Sequence, residues 1–338
     1  MGASERSVLH VLPHAGGGGD TYVDVLEPMP GYVVRRAYLA PARKPGATTV
    51  ARGLAEVVKA ARATDLLHVH GEVTGTLFLP FLVARPSVVT LHGLHLLRRV
   101  AGLRRRAAEV NLQALVHAAD RTICVSNAEH DVLAGVVGSD ARTRVIHNGA
   151  RPAEAREALE LRRELGFTDH DVVGIWVGSL DERRDPVAVV RAAERTATPL
   201  LIVGDGHLRA DVERAAEGYV RVLGQRADVE QLLDAADFFA LMSEREGFSF
   251  ALLEAMAHGL PAIVADIPEN IEAIGDSGIA VPYGDEEATA TAMRKLTEEG
   301  DYRHALAARA RNRIAEQFSA EQMIERTRAL YDEVLAPE

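Results

Sequence analysis

Short apolar runs alternate with helical stretches along this chain, and the alternation occurs twice, once in each half. This pattern is typical of βαβ units, which build parallel, doubly wound sheets with helices on both faces. A chain of 338 residues is long enough for two domains of this kind. We therefore predict an α/β fold with two doubly wound parallel sheets.

The apolar runs locate the strands, and one break separates the halves. The predicted strands are Val8 to Leu12, Val33 to Leu39, Leu66 to His70, Val88 to Leu91, Arg121 to Val125, Thr143 to Ile146, Val172 to Val177, Leu200 to Val203, Val220 to Leu223, Phe238 to Leu241 and Ala262 to Ala265. The stretch Asn148 to Pro152 interrupts the pattern as a linker would. Because ligands of open α/β sheets bind at the carboxyl ends of strands, the two domains imply an interdomain cleft.

Two carboxylates, Glu246 and Glu254, bracket a predicted helix start in the second half. Apolar residues from about Ser249 to His258 predict a buried helix with Ser249 as its N-cap and Gly259 at its end. The N–H groups of the first turn would then lie near Glu246 and favour an anionic, hydroxyl-rich ligand such as a nucleotide sugar. From the residues alone, a capped core helix with two incidental acids is an equal alternative.

This segment resembles the E-x7-E signature of retaining glycosyltransferases of family 4, which have the GT-B fold of two Rossmann-like domains facing an interdomain cleft. The resemblance continues from Leu260 to Ala265 and, at family-like spacing, through 145–149, 203–206 and 223–228. In that family the first Glu faces the donor sugar and the second binds the ribose, which here implies Glu246 and Glu254. The resemblance covers essentially the whole chain, most strongly from 145 to 285.

The resemblance implies an acceptor-side domain over 1–150, a nucleotide-sugar-binding domain over 151–316 and a helix over 317–338 that returns to the first domain. The implied activity is sugar transfer, with retention, from a nucleoside diphosphate sugar to a hydroxyl acceptor such as a glycan, a lipid-linked or a small molecule. A UDP-sugar is the favoured donor and GDP-mannose the other candidate. No metal or other cofactor is expected, because cationic side chains and helix N–H groups would stabilise the departing diphosphate.

The loop after the first strand of the second half departs from the family pattern. Family 4 usually has G-R-L-x-x-x-K there, whereas this chain has Ser179 at the Arg position and Arg184 at the Lys position. Arg183 is either a second phosphate ligand or a solvated side chain. The donor-binding residues that the resemblance implies are Gly17, Gly18, Ser179, Arg184, Gly204, Arg226, Gly247, Phe248, Ser249, Phe250 and Glu254.

Histidines end two strands of the first half. His92 resembles the histidine of the family's T-x-H-[DG] motif beside the donor sugar, although a lone histidine is more often structural. Glu246, His92 and Arg184 are thus the implied catalytic residues. His68 and His70 share one strand face, so a metal pair is open on geometry, but no third histidine or carboxylate follows at ligand-like spacing. The Gly16 to Gly19 run is either a phosphate cradle or a flexible loop.

The acceptor-side candidates are His70, Asp20, Arg98 and Arg104. The two arginines belong to a basic amphipathic segment, Arg98 to Arg106, on a chain whose net charge of −11 argues against nonspecific nucleic-acid binding. An anionic membrane surface, an anionic acceptor and a solvated helix face are all open for this segment. No apolar run reaches the roughly 18 residues of a membrane span, and Met1 to Ser7 lacks a signal-peptide core. We expect a cytoplasmic protein, with peripheral contact to the inner face of the membrane as an open option, and Cys124 as a buried strand residue.

Three other functions compete with sugar transfer. A sugar-nucleotide epimerase shares the fold, as does a phosphorylase, which uses a pyridoxal phosphate on lysine. Lys44, Lys59 and Lys295 are the lysines of the chain, and none lies in a cleft-facing motif. A noncatalytic sugar or nucleotide binding module is the alternative from a different class, and donor hydrolysis or transfer separates it from an enzyme.

Overall fold

The computed structural model describes residues 5–40, 47–153 and 158–337. The chain forms two compact units, the first comprising Met1–Gly149 with Ala320–Glu338 and the second comprising Ala150–Ser319. Each unit holds a six-stranded, wholly parallel sheet flanked by helices. The predicted fold of two doubly wound α/β sheets is confirmed.

In the first unit the strands pair in the order β2-β1-β3-β4-β5-β6. Their bounds are β1 Arg6–His14, β2 Tyr32–Ala40, β3 Leu66–His70, β4 Ser87–Thr90, β5 Arg121–Cys124 and β6 Thr143–Val145. The helices are α1 Gly18–Leu26, α2 Ala47–Ala61, α3 Glu72–Ala84, α4 Gly102–Ala118, α5 Asn127–Val137 and the C-terminal α14 Ala320–Val334, with a 3-10 turn at Leu97–Arg99. Helix α14 packs against α1.

In the second unit the order is β12-β11-β10-β7-β8-β9. The strands are β7 Gly174–Val177, β8 Leu200–Val203, β9 Val220–Gly224, β10 Phe238–Leu241, β11 Ala262–Ala265 and β12 Gly278–Val281. The helices are α6 Leu159–Glu164, α7 Pro186–Arg195, α8 Arg209–Ala215, α9 Val229–Asp234, α10 Phe250–Ala257, α11 Pro268–Ile274, α12 Glu286–Glu298 and α13 Gly300–Gln317. This order is that of a dinucleotide-binding sheet.

The predicted strands all form, with ends within two residues of the expected ones. Strand β12 was not predicted; it is a four-residue edge strand whose first three residues are partly buried or exposed. Cys124 is fully buried in β5, as predicted. Helix α10 begins after Ser249, whose hydroxyl accepts a hydrogen bond from the Leu252 amide at 3.4 Å, so the predicted N-cap is confirmed.

Candidate active site

Each sheet has one position where consecutive connections run in opposite directions, and ligands of open α/β sheets bind outside the carboxyl ends of the strands there. In the second unit this position lies between the neighbouring strands β7 and β10. The loops that follow them are 178–185 and 242–249, and they carry the predicted Arg184 and Glu246. The topology therefore brings these two sequence-distant segments together.

Glu246 lies beside two guanidinium groups in this pair of loops. Its Oε1 is 3.3 Å from Arg183 Nη1 and 3.5 Å from Arg184 Nε, and its side chain is 8% exposed. Arg183 also donates to the Arg245 carbonyl at 2.8 Å, and its carbonyl accepts from the Glu244 amide at 2.8 Å. The Arg183 side chain is only 16% exposed, which corrects the alternative of a solvated residue.

Close backbone packing explains the glycine at position 204. A Cβ on Gly204 would lie 1.8 Å from the Gly178 carbonyl oxygen, and its φ of +137° is unfavourable for other residues. The β8 loop therefore presses against the loop that carries the two arginines, and the Leu180 amide donates to the Asp205 carbonyl at 3.1 Å. This packing accounts for Gly204 without a ligand, so its donor-binding role stays a prediction.

The apolar side chains at the start of α10 are buried. Phe248 is 3% exposed and stacks edge-on with Phe318 at 5.0 Å between ring centroids, and Phe250 is also buried. Ser249 caps the helix, and the first-turn N–H groups lack intrahelical acceptors, as in any helix. Gly247 is buried in the same loop.

Glu254 sits one turn further along α10 and is partly buried. Burial, and then the nearby Glu230 carboxylate, raise the pKa of Glu254 to about 7. Within residues 5–40, 47–153 and 158–337, no hydrogen bond or ion pair engages its carboxylate. Such a group is suited to accept hydrogen bonds from ligand hydroxyls.

Two further predicted donor residues lie at the edge of the site. Ser179 is partly buried in the loop after β7. Arg226 is exposed and forms a two-point ion pair with Asp228, with contacts of 2.7 and 2.6 Å. Its guanidinium is thus already oriented by a neighbouring carboxylate.

In the first unit, the position where consecutive connections run in opposite directions lies between β1 and β3. The loop after β1 holds Gly16 and Gly17 at φ of +83° and +89°, with open space around both, and α1 starts at Gly18. The Asp20 carboxylate accepts from the Gly16 amide and from the Tyr38 hydroxyl, the latter at 2.6 Å. Asp20 therefore organises the glycine loop, and its acceptor-side role stays a prediction.

His92 occupies a backbone turn held by two buried carboxylates that the sequence analysis missed. His92 and Leu94 have φ of +60° and +49°, a conformation that is costly for both. Glu129 accepts from the amides of Gly93 and Val125, the latter at 2.7 Å.

Glu72 supplies the second of these carboxylates. It accepts from the Leu96 amide at 2.7 Å. Burial raises the pKa of Glu72, and it raises that of Glu129 to about 7. The capping pattern of Ser126 followed by Glu129 was the available signal in the sequence.

The histidine pair on β3 has a third and a fourth member. His10 of β1 lies directly beside His68 in the sheet register, although no third histidine follows the pair at ligand-like spacing in the sequence. Nitrogens of His10, His68 and His70 all lie within 4.8 Å of one another. His70 is 1% exposed and contacts His92, so it lies behind His92, and its predicted acceptor-side role would be indirect.

The basic segment carries exposed apolar side chains among its arginines. Leu103 is 83% and Val110 64% exposed on α4, and 101–107 are all exposed. Arg105 pairs with Glu109 at 2.9 Å, and Arg98 is partly buried within the 3-10 turn. None of the helices in the described ranges is both long and apolar enough to cross a membrane.

Comparison with known proteins identifies the family. A family model described as Glycosyltransferase Family 4 matches residues 9–154, and one described as Glycosyl transferases group 1 matches residues 172–299. Together the two models cover most of the chain, which therefore belongs to the family 4-type glycosyltransferases. The chain is a glycosyltransferase, as predicted.

Curated relatives and solved structures agree with this assignment. The chain is 31% identical to N-acetyl-alpha-D-glucosaminyl L-malate synthase of Bacillus anthracis over 53% of its own length and 50% of that protein. It is 27% identical to an Escherichia coli UDP-Gal:alpha-D-GlcNAc-diphosphoundecaprenol alpha-1,3-galactosyltransferase, over 79% and 75% respectively. The chain thus spans half of the first relative and three quarters of the second.

Two solved structures show the same fold. Sucrose-phosphate synthase from Thermosynechococcus elongatus superimposes with a TM-score of 0.82 at 19% identity, covering 97% of this chain and 99% of that one. Anabaena HepE, solved with UDP and glucose, gives 0.80 at 20% identity, covering 96% and 99%. These likenesses establish the predicted GT-B fold class.

Proposed function

We propose that this glycosyltransferase moves a sugar, with retention, from a nucleoside diphosphate sugar to a hydroxyl acceptor, and that a UDP-sugar is the donor. The observation that carries the proposal is the pair Arg183 and Arg184 beside Glu246 at the switch point of the second sheet. HepE was solved with UDP-glucose, and this supports UDP over GDP-mannose.

The diphosphate is bound by positive charge held in place before the donor arrives. Arg183 and Arg184 supply two guanidinium groups. Arg183 thus replaces the arginine that the family usually has at the position of Ser179. One guanidinium group can donate two hydrogen bonds to a phosphate, and the first-turn N–H groups of α10 add further donors. Because these groups are preorganised, they stabilise the charge that develops as the sugar leaves. This arrangement replaces a divalent metal.

The sugar and the nucleoside contact the two glutamates. Glu246 orients the donor sugar, and Glu254 accepts hydrogen bonds from the ribose hydroxyls. In a front-face mechanism the leaving phosphate helps to deprotonate the acceptor hydroxyl, and no carboxylate nucleophile is needed. Retention follows because the acceptor then attacks from the face that the phosphate leaves.

The first unit provides the acceptor side. His92, held by Glu129, contacts a hydroxyl of the donor sugar or acceptor, and the loop of Gly17 and Gly18 gives backbone access. The exposed arginines Arg104 to Arg106, interspersed with Leu103, suit an acceptor presented at an anionic lipid surface, because the arginines attract the headgroups and the leucine reaches the apolar boundary.

The test is a donor panel on the full chain. Thermal shift with UDP, GDP and their glucose, galactose, N-acetylglucosamine and mannose forms selects the donor, and NMR of the product formed from it gives the anomeric configuration. We expect UDP-sugar turnover with retention, lost in Arg184→Gln. Arg209→Gln is the matched control, because Arg209 is an exposed arginine that pairs with Glu213 on its own helix and with Asp205 in the preceding loop. Inverted product, or binding without turnover for every donor, would contradict the proposal.

A further inference from the structure

A continuous hydrogen-bonded chain of imidazoles runs through the core of the first unit and ends at His92. His92 Nε2 lies 2.8 Å from His70 Nδ1, and His70 Nε2 lies 2.8 Å from His10 Nδ1. The Tyr331 hydroxyl of α14 is 3.3 Å from His10 Nε2. In the described part of the chain no hydrogen bond engages Nδ1 of His92, which is therefore the open end.

The chain continues beyond Tyr331 to the middle of the sheet. The Tyr331 hydroxyl is 2.5 Å from His68 Nδ1, and His68 Nε2 is 2.7 Å from Thr90 Oγ1. His10, His68 and Tyr331 are fully buried. Every ring nitrogen of the three inner histidines thus has a hydrogen-bonding partner, as burial of polar groups requires.

Burial favours the neutral form of all four imidazoles. Burial lowers the pKa of His10 and of His92 to about 3, and it lowers the pKa of His68 and His70 well below the ordinary value. A neutral ring has one N–H donor and one acceptor nitrogen. A ring that donates to its neighbour on one side must therefore accept from its neighbour on the other. Among His10, His70 and His92, the direction of one link therefore sets the direction of the others.

The Tyr331 distances indicate the direction. The hydroxyl has one proton, and O–H donors form shorter bonds than N–H donors, about 2.7 Å against about 2.9 Å. We therefore assign the Tyr331 proton to the shorter contact, with His68, and this leaves the longer contact to a proton on His10 Nε2. Following the chain outwards, His70 donates to His10 and His92 donates to His70. Each of the four rings then has its proton on Nε2.

A metal site fits this geometry less well. Two nitrogens bound to one tetrahedral zinc at about 2.0–2.1 Å are roughly 3.3 Å apart. His10 and His70 nitrogens are 2.8 Å apart, which is the spacing of a hydrogen bond. We therefore treat the cluster as a proton-ordered chain.

We propose that Tyr331, His10 and His70 are positioning residues that hold His92 in the Nε2–H tautomer, so that its Nδ1 accepts a hydrogen bond from a substrate hydroxyl. This inference rests on the proposed function, which places His92 against the sugar or the acceptor. It assigns a role to the C-terminal helix, because Tyr331 orders protons at a turn that begins more than two hundred residues earlier in the sequence.

Long-range ¹H–¹⁵N NMR of histidine-labelled full chain, without substrate, tests the tautomers directly. In the wild type we expect all four rings as Nε2–H. Tyr331→Phe keeps the ring but removes the hydroxyl, which leaves His10 Nε2 without a partner. A buried N–H without an acceptor is tolerated less than a bare acceptor. His10, His70 and His92 should therefore change to Nδ1–H, while His68 stays Nε2–H.

Tyr22→Phe is the matched control. Tyr22 is a buried tyrosine edge-on to the same rings, and its hydroxyl lies 3.5 Å from Thr90 at the far end of the chain. Its removal should leave every tautomer unchanged. In transfer assays Tyr331→Phe should lower kcat about tenfold with an unchanged donor KM, since one hydrogen bond is lost.

An Nδ1–H His92 in the wild type, or an unchanged His92 in Tyr331→Phe, would overturn the inference. Stoichiometric zinc binding that shifts His10, His68 and His70 together would also overturn it. If the tautomers are as expected but no donor is turned over, the proposed function fails and the proton-ordered chain stands.

Discussion

Replacing Glu254 by Gln should make the protein more stable and bind its donor more weakly. The Glu254 carboxylate is partly buried without a partner in the described ranges, and its pKa is raised from 4.5 to about 7. Holding this charge in the folded state costs at most about 3 kcal/mol. Glutamine keeps the size of the side chain and removes the charge.

The pH dependence has a definite sign. Because the folded pKa lies above the unfolded one, no cost exists below pH 4.5, the cost grows between pH 4.5 and about 7, and it is complete above pH 7. Glu254→Gln should therefore leave stability unchanged at pH 4.5 and raise it by about 1–3 kcal/mol at pH 8. Urea denaturation of the variant and the wild type at both pH values measures this difference in stability. The comparison with wild type cancels the contribution of Glu129, whose raised pKa affects both proteins equally.

Donor binding should change in the opposite direction. Lost hydrogen bonds from the ribose hydroxyls to a charged group weaken UDP-glucose binding by about 1.5–3 kcal/mol at pH 8. Wild-type affinity should also fall about tenfold from pH 8 to pH 6 as Glu254 becomes protonated, whereas the variant should show no such change. Isothermal calorimetry measures both effects.

Glu298→Gln is the control, because Glu298 is an exposed glutamate on α12 and should affect neither property. A Glu254→Gln protein that is less stable at pH 8 would show that the carboxylate is structural. A stable variant with unchanged UDP-glucose affinity would refute the ribose contact.

Three further predictions concern charge. Arg184→Gln should weaken UDP-glucose binding about tenfold to a hundredfold by calorimetry, since a charge-assisted contact is lost; equal weakening in Arg209→Gln would point to a general charge effect. EDTA should leave turnover within a factor of about two, because no metal is needed to bind the diphosphate, and rescue of an EDTA-inactivated enzyme by magnesium would contradict this. Replacing Arg104, Arg105 and Arg106 by Gln should reduce cosedimentation with anionic liposomes at low salt, at about 1 kcal/mol per arginine, and salt should abolish the wild-type binding. Unchanged sedimentation and acceptor kinetics would leave these arginines a solvated helix face.

The sequence predicts the sheets well because buried parallel strands produce continuous apolar runs. The helix after Ser249 was also predictable, since its N-cap and its terminal glycine are local signals. The strand order itself is not a local property, and the pairing of Arg183 with Glu246 depends on β7 lying next to β10.

The histidine chain also depends on contacts that local sequence patterns do not predict. The alternation of His68 and His70 places both rings on one face of β3, but His10 is brought beside them only by the register of β1. Tyr331 comes from a helix at the other end of the chain. Of the two missed carboxylates, Glu129 had a capping signal in the sequence, whereas Glu72 had none that separates it from a solvated helix residue.

The buried polar groups behind the two switch points differ in charge. At the first sheet the inner groups are neutral imidazoles and phenols, because burial opposes protonation of His10, His68 and His70. At the second sheet, by contrast, Arg183 and Arg184 contact the Glu246 carboxylate. Neutral donors and acceptors suit hydroxyl groups, which carry no charge to neutralise, whereas guanidinium groups suit a diphosphate. This division matches a reaction in which a hydroxyl displaces an anionic leaving group, and it favours the first unit for the acceptor and the second for the donor.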